Sequence, residues 1–404
     1  MSSSPIKVVV VGGSYAGVNV INGLLSSSKK TLQITLVERN EARHHSVGAF
    51  RALVDAEYGD KIWVPYTSLF PKGSSHKIIR DTLAEVHDHH VVLSSGVSVQ
   101  FDYLVLCTGS RNPAPAKFGH VASTADAVAI TNKARAELSK SKSVLIVGGG
   151  ACGVELAGEI KTAFPDKKVT LIQATSGLVD YPGFSQAFGT SAQKHLQNLG
   201  VDVVLNERPT IEGLNLDNPV QASPVTLRTK DGKTIESDLQ FLSVGIVVDT
   251  SYISTLKPVG VANFDSKSLV DADRHVLKIK DTMQLADPNF PHIFAVGDCT
   301  NFSEVPTAAA CKFTGATAAK NLLQLINLSS TNSPSVLEVQ AAEKKAKLGK
   351  GSMPGGMMVL ATGPTTGVSS LPLFGTRFGS FFARMLKSKD LMIGGVFSDM
   401  RIAK

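Results

Sequence analysis

Residues 8–17 read "VVVVGGSYAG" and residues 144–153 read "VLIVGGGACG". Each is a β-branched run, a glycine turn and the start of a helical pattern. That order suits an anion: the helix N-terminus presents free N–H groups and a positive dipole end. Three glycines complete such a cradle, for the tight turn, for close approach of a pyrophosphate and for helix–strand packing. Gly148, Gly150 and Gly153 fill all three places. Gly12 and Gly17 fill the outer two in the first copy, where Ser14 holds the middle and is small enough to let the backbone approach. One such match is a weak signal, so the surrounding chain has to support it.

Both copies continue through a helix into a second apolar strand, "LQITLVERN" and "KKVTLIQAT". That is a βαβ unit twice, which predicts parallel sheets with crossover helices. Glu38 closes the first unit, where an acid accepts the ribose hydroxyls of a dinucleotide. The equivalent place in the second is Gln173. A neutral amide does not repel a 2′-phosphate and no arginine follows, so this site is expected to favour NADH only weakly over NADPH. Between the units, residues 76–110 alternate like an antiparallel meander and end in an apolar strand before Gly109. Residues 223–245 repeat this, with a hairpin turn at Asp231-Gly232 and an end at Gly245.

The expected fold is therefore α/β: two Rossmann-like dinucleotide-binding domains with antiparallel meanders, plus a small C-terminal α+β domain. The boundaries read as 1–125 and 263–328 for the two parts of the first domain, 126–262 for the second, and 329–404 for the C-terminal domain.

Composition agrees with a globular chain: 404 residues, 43% hydrophobic and 19% charged. The net charge of +7 is dispersed, with no basic block of the kind that holds nucleic acid. Four separated cysteines, Cys107, Cys152, Cys299 and Cys311, form no C-x-x-C clip. A first strand near Ile6 predicts no signal peptide, Ser2 predicts no myristoylation, and no apolar run predicts a spanning helix.

The two glycine units, "DYLVLCTG" (102–109), its echo "LQFLSVG" and "IFAVGDCT" together resemble the two-dinucleotide-binding flavoproteins. "ARHHSVGAFRALVD" and the tail "TTGVSSLPLFGTRFGSFFARMLKSKDL" narrow the resemblance to the apoptosis-inducing-factor-like branch of AMID or ferroptosis-suppressor type. Disulfide reductases of the wider family carry a cysteine pair after the first unit; residues 39–60 have none. The resemblance implies FAD on the first unit, through Gly12, Gly13, Ser14, Tyr15, Ala16, Gly17 and Glu38. It also implies contacts from Arg51, from the backbone near Thr82, and from Thr108, Gly109 and Lys117. Asp298, after Gly297, would bond the ribityl chain, and a helix starting at Pro306 and Thr307 would face the flavin. NADH or NADPH would lie on Gly148, Gly150, Gly153, Gln173 and Gly245. Glu155 and Lys387 match an acid and a lysine needed for activity.

The expected function is an FAD-dependent reductase passing hydride from NAD(P)H to a quinone-like acceptor. A redox-gated death effector binding nucleic acid, and a reductase of a small electron-transfer protein, are the rival readings. The protein is expected in the cytoplasm, as a monomer or homodimer. The aromatic and basic tail, including Arg377 and Phe378, suits either contact with a lipid-droplet or mitochondrial membrane or packing by its aromatic face on the first domain. His44 and His45 resemble paired histidines near the flavin. His87, His89 and His90 read as a solvated hairpin rather than a metal site, because no further ligands accompany them. Cys299 and Cys311 flank the start of the flavin helix, without any sign of a reactive thiol.

Overall fold

Strand Ile6–Val11, five of its six residues buried, runs through the middle of a five-stranded sheet. The order is Ile293–Ala295, Tyr103–Leu106, Ile6–Val11, Leu32–Glu38 and Lys77–Arg80, and every pairing is parallel. Strands covered on both faces read as unbroken apolar runs, which "VVVV" and "YLVL" are. In this computed structural model the chain is described over residues 4–402, except 120, 122, 262, 303–304, 353–355 and 372–375; side chains of 376–378 are also outside the described set.

Helices Tyr15–Ser27 and Ala308–Leu328 pack together on one face of the sheet, bringing Gly23 so close to Ala319 that an added Cβ would lie 2.6 Å from its methyl. The antiparallel strands Leu83–Val86, His90–Leu93 and Ser98–Gln100 share the core on the other face. Lys77–Arg80 does not join them, contrary to the sequence reading. It is a largely exposed edge strand, paired in parallel with Leu32–Glu38, and so short a run gives no sign of which sheet it extends.

The second sheet repeats the plan: Val201–Val204, Lys168–Ile172, Ser143–Val147 and Thr234–Leu242 are parallel, and Val220–Arg228 closes the edge antiparallel. The hairpin turn falls at Gly232, with φ 82°. After helix Val336–Lys345, started by a Ser335/Glu338 capping box, come strands Met358–Ala361, Gly367–Leu371 and Thr376–Phe378. This small sheet leans on the second unit, where Thr362 packs over Gly158 and accepts a 2.6 Å hydrogen bond from Thr162 at its carbonyl.

The tail ends in helix Ser380–Ala383, a π-helical turn Arg384–Ser388 and helix Ile393–Asp399. It packs through Ala383, Ser388 and Leu391, not through its aromatic face: Phe381 is 74% exposed and Met385 61%. Arg377 and the Phe378 side chain lie outside the described residues. Among the described residues no helix is long and apolar enough to cross a membrane.

Candidate functional site

Both glycine loops sit at the carboxyl ends of their central strands. Gly12 adopts φ 98° and Gly148 φ 115°, a region that side chains rarely enter. A Cβ on Gly12 would stand 2.2 Å from the carbonyl oxygen of Cys107, and one on Gly148 2.2 Å from that of Ser243. Gly17 and Gly153 close against the carbonyls of Gly12 and Gly148 in the same way, at 1.8 Å.

The helices that follow, Tyr15–Ser27 and Ala151–Ala163, have no side-chain cap and no acid in the first turn. The other four described helices of ten or more residues are each capped by the serine or threonine before them: Ser123, Ser185, Thr307 and Ser335. A helix end leaves several N–H groups without an internal partner. In these two the residue at the cap leaves those groups free, apart from Ala151 N, which donates to Tyr181 Oη at 3.0 Å, and that fits a dinucleotide pyrophosphate.

Glu38 and Gln173 do the same job in each unit. Glu38 Oε2 accepts from Gly13 N at 2.6 Å, and Gln173 Oε1 accepts from Gly149 N at 2.8 Å. Each bridges the end of the second strand to its glycine loop. Glu38 also accepts from the backbone and side chain of Asn40, and a carboxylate still has lone-pair capacity beyond those bonds.

Gly297 and Asp298 line a cleft with Thr300, Pro306, Thr307 and Cys311, at the start of helix Ala308–Leu328. Thr307 caps that helix, its hydroxyl accepting from Ala310 N. Asp298 accepts from Lys117 at 2.8 Å and from Ser110 at 2.6 Å. Burial pushes its carboxyl up, but Lys117 and Ser110 outweigh burial and hold it below the ordinary value. Two residues of the sequence reading, Lys117 and Asp298, thus come together. Gly109 and Gly245, both at positive φ, end the two mirrored strands, and backbone bonds between Arg111 and Val247 join the loops beyond them.

Glu155 and Lys387 also meet. Lys387 Nζ lies 2.6 Å from Glu155 Oε1, and both side chains are largely buried. The same oxygen accepts from Ala361 N, and Lys387 donates to the Val359 carbonyl. Arg51 lies within this region with its guanidinium on Glu159, Nε to Oε2 at 2.6 Å and Nη2 to Oε1 at 2.7 Å, while Nη2 also reaches the Ser388 carbonyl. One buried arginine therefore ties the first unit, the second unit and the tail.

Tyr15 donates to His45 Nδ1 at 2.8 Å, and His45 donates from Nε2 to the Leu391 carbonyl at 2.7 Å. His44 stacks on Trp63 at 4.4 Å and its buried Nε2 has no hydrogen-bond partner. Burial drives His44 down to about 3, aided by His45 and Lys117; burial also takes His45 to about 4. Thr82 stands apart, exposed after the edge strand, its carbonyl accepting from Ser94 N. Thr108 bonds Tyr252 at 2.8 Å. All four cysteines are free thiols, and burial raises each of them, so none is poised as a nucleophile.

Sequence reasoning missed Arg43, whose side chain is fully buried 3.3 Å from Asp399 and stacked on Tyr15, with Nε and Nη2 unpartnered. Its only signal was its place in "ARHH". It also missed a partner for the histidine hairpin. His292, some two hundred residues away in sequence, joins Asp88 and His89, one ligand atom from each lying within 4.8 Å of the others. The hairpin therefore has a further neighbour with a donor atom that its own stretch of sequence does not carry.

The family model described as Pyridine nucleotide-disulphide oxidoreductase matches residues 6–321. Apoptosis-inducing factor homolog B of Dictyostelium discoideum is 32% identical over 420 residues, covering 100% of this chain and 99% of its own. Ferroptosis suppressor protein 1 of Xenopus tropicalis is 28% identical, covering 98% and 96%. Among solved structures, the sulfide:quinone oxidoreductase of Aquifex aeolicus superposes with a TM-score of 0.68 at 16% identity, over 98% of this chain and 91% of that one. That last likeness is one of fold.

Proposed function

The chain belongs to the pyridine nucleotide-disulphide oxidoreductase family and is an FAD-dependent NAD(P)H oxidoreductase, and we propose that its electron acceptor is a quinone met at a membrane surface. The observation that carries this reading is the Glu155–Lys387 pair, which anchors the tail to the second unit. Just beyond that anchor the tail exposes Phe381, Met385 and Leu386 beside Arg384 and Lys389. Apolar side chains interleaved with cations suit an anionic bilayer, where a lipid-soluble acceptor is found.

FAD, when bound, supplies the electron-transfer chemistry that no side chain of the chain has. The residues that would hold it are the first glycine loop, Glu38, Lys117 and Asp298, with the open end of helix Tyr15–Ser27 toward the phosphates. The second loop and Gln173 would hold the nicotinamide dinucleotide. Glu155 fixes the ammonium of Lys387 in one place, so that a positive charge is oriented rather than mobile. Arg51 keeps the tail seated by bonding Glu159 and the Ser388 carbonyl together.

The test is steady-state NADH and NADPH oxidation with a panel of quinones, oxygen and ferricyanide. Quinones of graded chain length are expected to sustain turnover in the presence of anionic vesicles, and oxygen alone is not. Glu155→Gln is expected to lower kcat by about 100-fold while leaving flavin bound, the scale of a misplaced positioning group. Turnover with oxygen and none with any quinone overturns the acceptor.

A further inference from the structure

We propose that Asp88, His89 and His292 form a binding site for a divalent transition cation, with zinc the best match. His292 stands immediately before strand Ile293–Ala295 and Asp88 and His89 in the turn after Leu83–Val86. His292 thus marks the end of the parallel sheet where its strands begin, opposite to the glycine loops that follow the carboxyl ends. The site is therefore separate from the nucleotide cleft.

The donor set is an imidazole nitrogen from each histidine and one carboxylate oxygen, all within 4.8 Å of one another. Imidazole and carboxylate together suit zinc, with bonds of about 2.0–2.2 Å and donors about 3.3–3.5 Å apart in a tetrahedron. Closure thus needs a movement of about 1 Å or a little more, within side-chain reach. His89 can supply it, since its side chain is 38% exposed while those of Asp88 and His292 are 12% and 0%.

The cluster is incompletely bonded as it stands. Asp88 Oδ1 and His292 Nδ1 are buried and neither has a hydrogen-bond partner. Buried polar atoms without partners are costly, and a cation is one way to satisfy them. The three side chains already stand beside one another, with Asp88 Oδ1 3.6 Å from His292 Nε2 and Asp88 Oδ2 3.7 Å from His89 Nε2. His292 Nε2 donates to the Asp88 carbonyl at 2.6 Å, the two imidazoles stack at 4.7 Å, and His89 Nδ1 lies 3.4 Å from the Phe101 carbonyl. Three protein ligands leave a fourth position for water. His87 and His90 form a separate stack, 4.4 Å apart, with His87 on Glu85 at 2.8 Å.

The test uses the flavin-loaded full chain without a histidine tag, freed of metal by a chelator and titrated with zinc by calorimetry. One equivalent is expected to bind, with metal content retained through gel filtration and a concentration-dependent rise in Tm. Asp88→Asn and His89→Ala are each expected to weaken binding by about 10-fold or more, the scale of a lost ligand or its support. Both leave NADH oxidation unchanged, because the site is remote from the cofactors. His87→Ala is expected to bind as the parent does. Absence of a bound equivalent, or binding that survives both variants, or loss of binding in His87→Ala alone, overturns the proposal.

Discussion

The two glycine loops are built to one plan but differ at its middle position. Both turn through a glycine at positive φ pressed against the carbonyl of a neighbouring strand, at 2.2 Å for an added Cβ in each case. Both tie the loop N–H to the residue ending the second strand, one by a carboxylate and one by an amide. The middle position is Ser14 in the first and Gly150 in the second, with φ −87° and −71°. Neither value demands glycine. What differs is the neighbour: Tyr181 Oη would stand 2.5 Å from a Cβ at 150, whereas in the first unit the corresponding crowding, by Tyr66, falls on Gly13. The middle glycine is dictated here by a side chain some thirty residues away, not by the loop itself.

The harshest way to break this comparison is valine at the turn. Gly12→Val is expected to abolish flavin binding, seen as loss of visible absorbance. Gly148→Val is expected to keep the flavin and lose saturation by NADH, because its clash is confined to the second unit. A yellow Gly12→Val protein would refute the assignment of the first loop.

Acid should separate the halves next. His44 and His45 both lie in the first unit and are held by burial at about 3 and about 4. They stay neutral in the folded chain where the unfolded chain binds protons. Stability therefore rises with pH from about 3 to about 6.5 and is lost in the other direction, by an amount on the order of several kcal/mol. Denaturant midpoints at pH 5 and pH 7 measure it. Replacing both histidines should make the slope shallower, and an unchanged slope would remove them as a source of it.

Gln173→Glu sharpens the comparison by making the second unit resemble the first. A carboxylate repels a 2′-phosphate, so KM for NADPH should rise about 10-fold relative to NADH. The smallest effect belongs to Ser14→Gly, expected to keep flavin bound and to leave stability within about 0.5 kcal/mol, since Ser14 is exposed and its side chain makes no cap bond to the helix it precedes. Gly150→Ser, its mirror, should raise KM for the nicotinamide severalfold by pushing on Tyr181. Equal effects at 14 and 150 would mean that the tyrosine does not decide the position.

Much of the architecture was legible because its signals are local. The β-branched runs and glycine turns predicted both parallel sheets, and Asp231-Gly232 marked its hairpin. Of the site, the pairing of Glu155 with Lys387 came from the resemblance and not from pattern, since 232 residues separate them. The Arg51–Glu159 tie, the buried Arg43 and the joining of His292 to the hairpin had no sequence signature either. Each depends on which surfaces the fold presses together. The tail misled for a related reason: Phe381 looks like part of a packing face, and only the actual contacts of Ala383 and Ser388 show that it points outward.

Strand Ile293–Ala295 has a consequence in time as well as in space. It pairs with Tyr103–Leu106, roughly one hundred and ninety residues earlier, and the whole second unit is threaded between the two. Pairings of such long range are slow to form because the intervening loop must be closed first. During synthesis the first glycine loop emerges early, yet its sheet lacks an edge until the ribosome has passed Ala295. At about 5–20 residues per second that is an interval of tens of seconds. The second unit, contiguous in sequence, can fold within that interval and bring the ends of the first together. On this chain the second unit can then serve as the scaffold against which the first is completed.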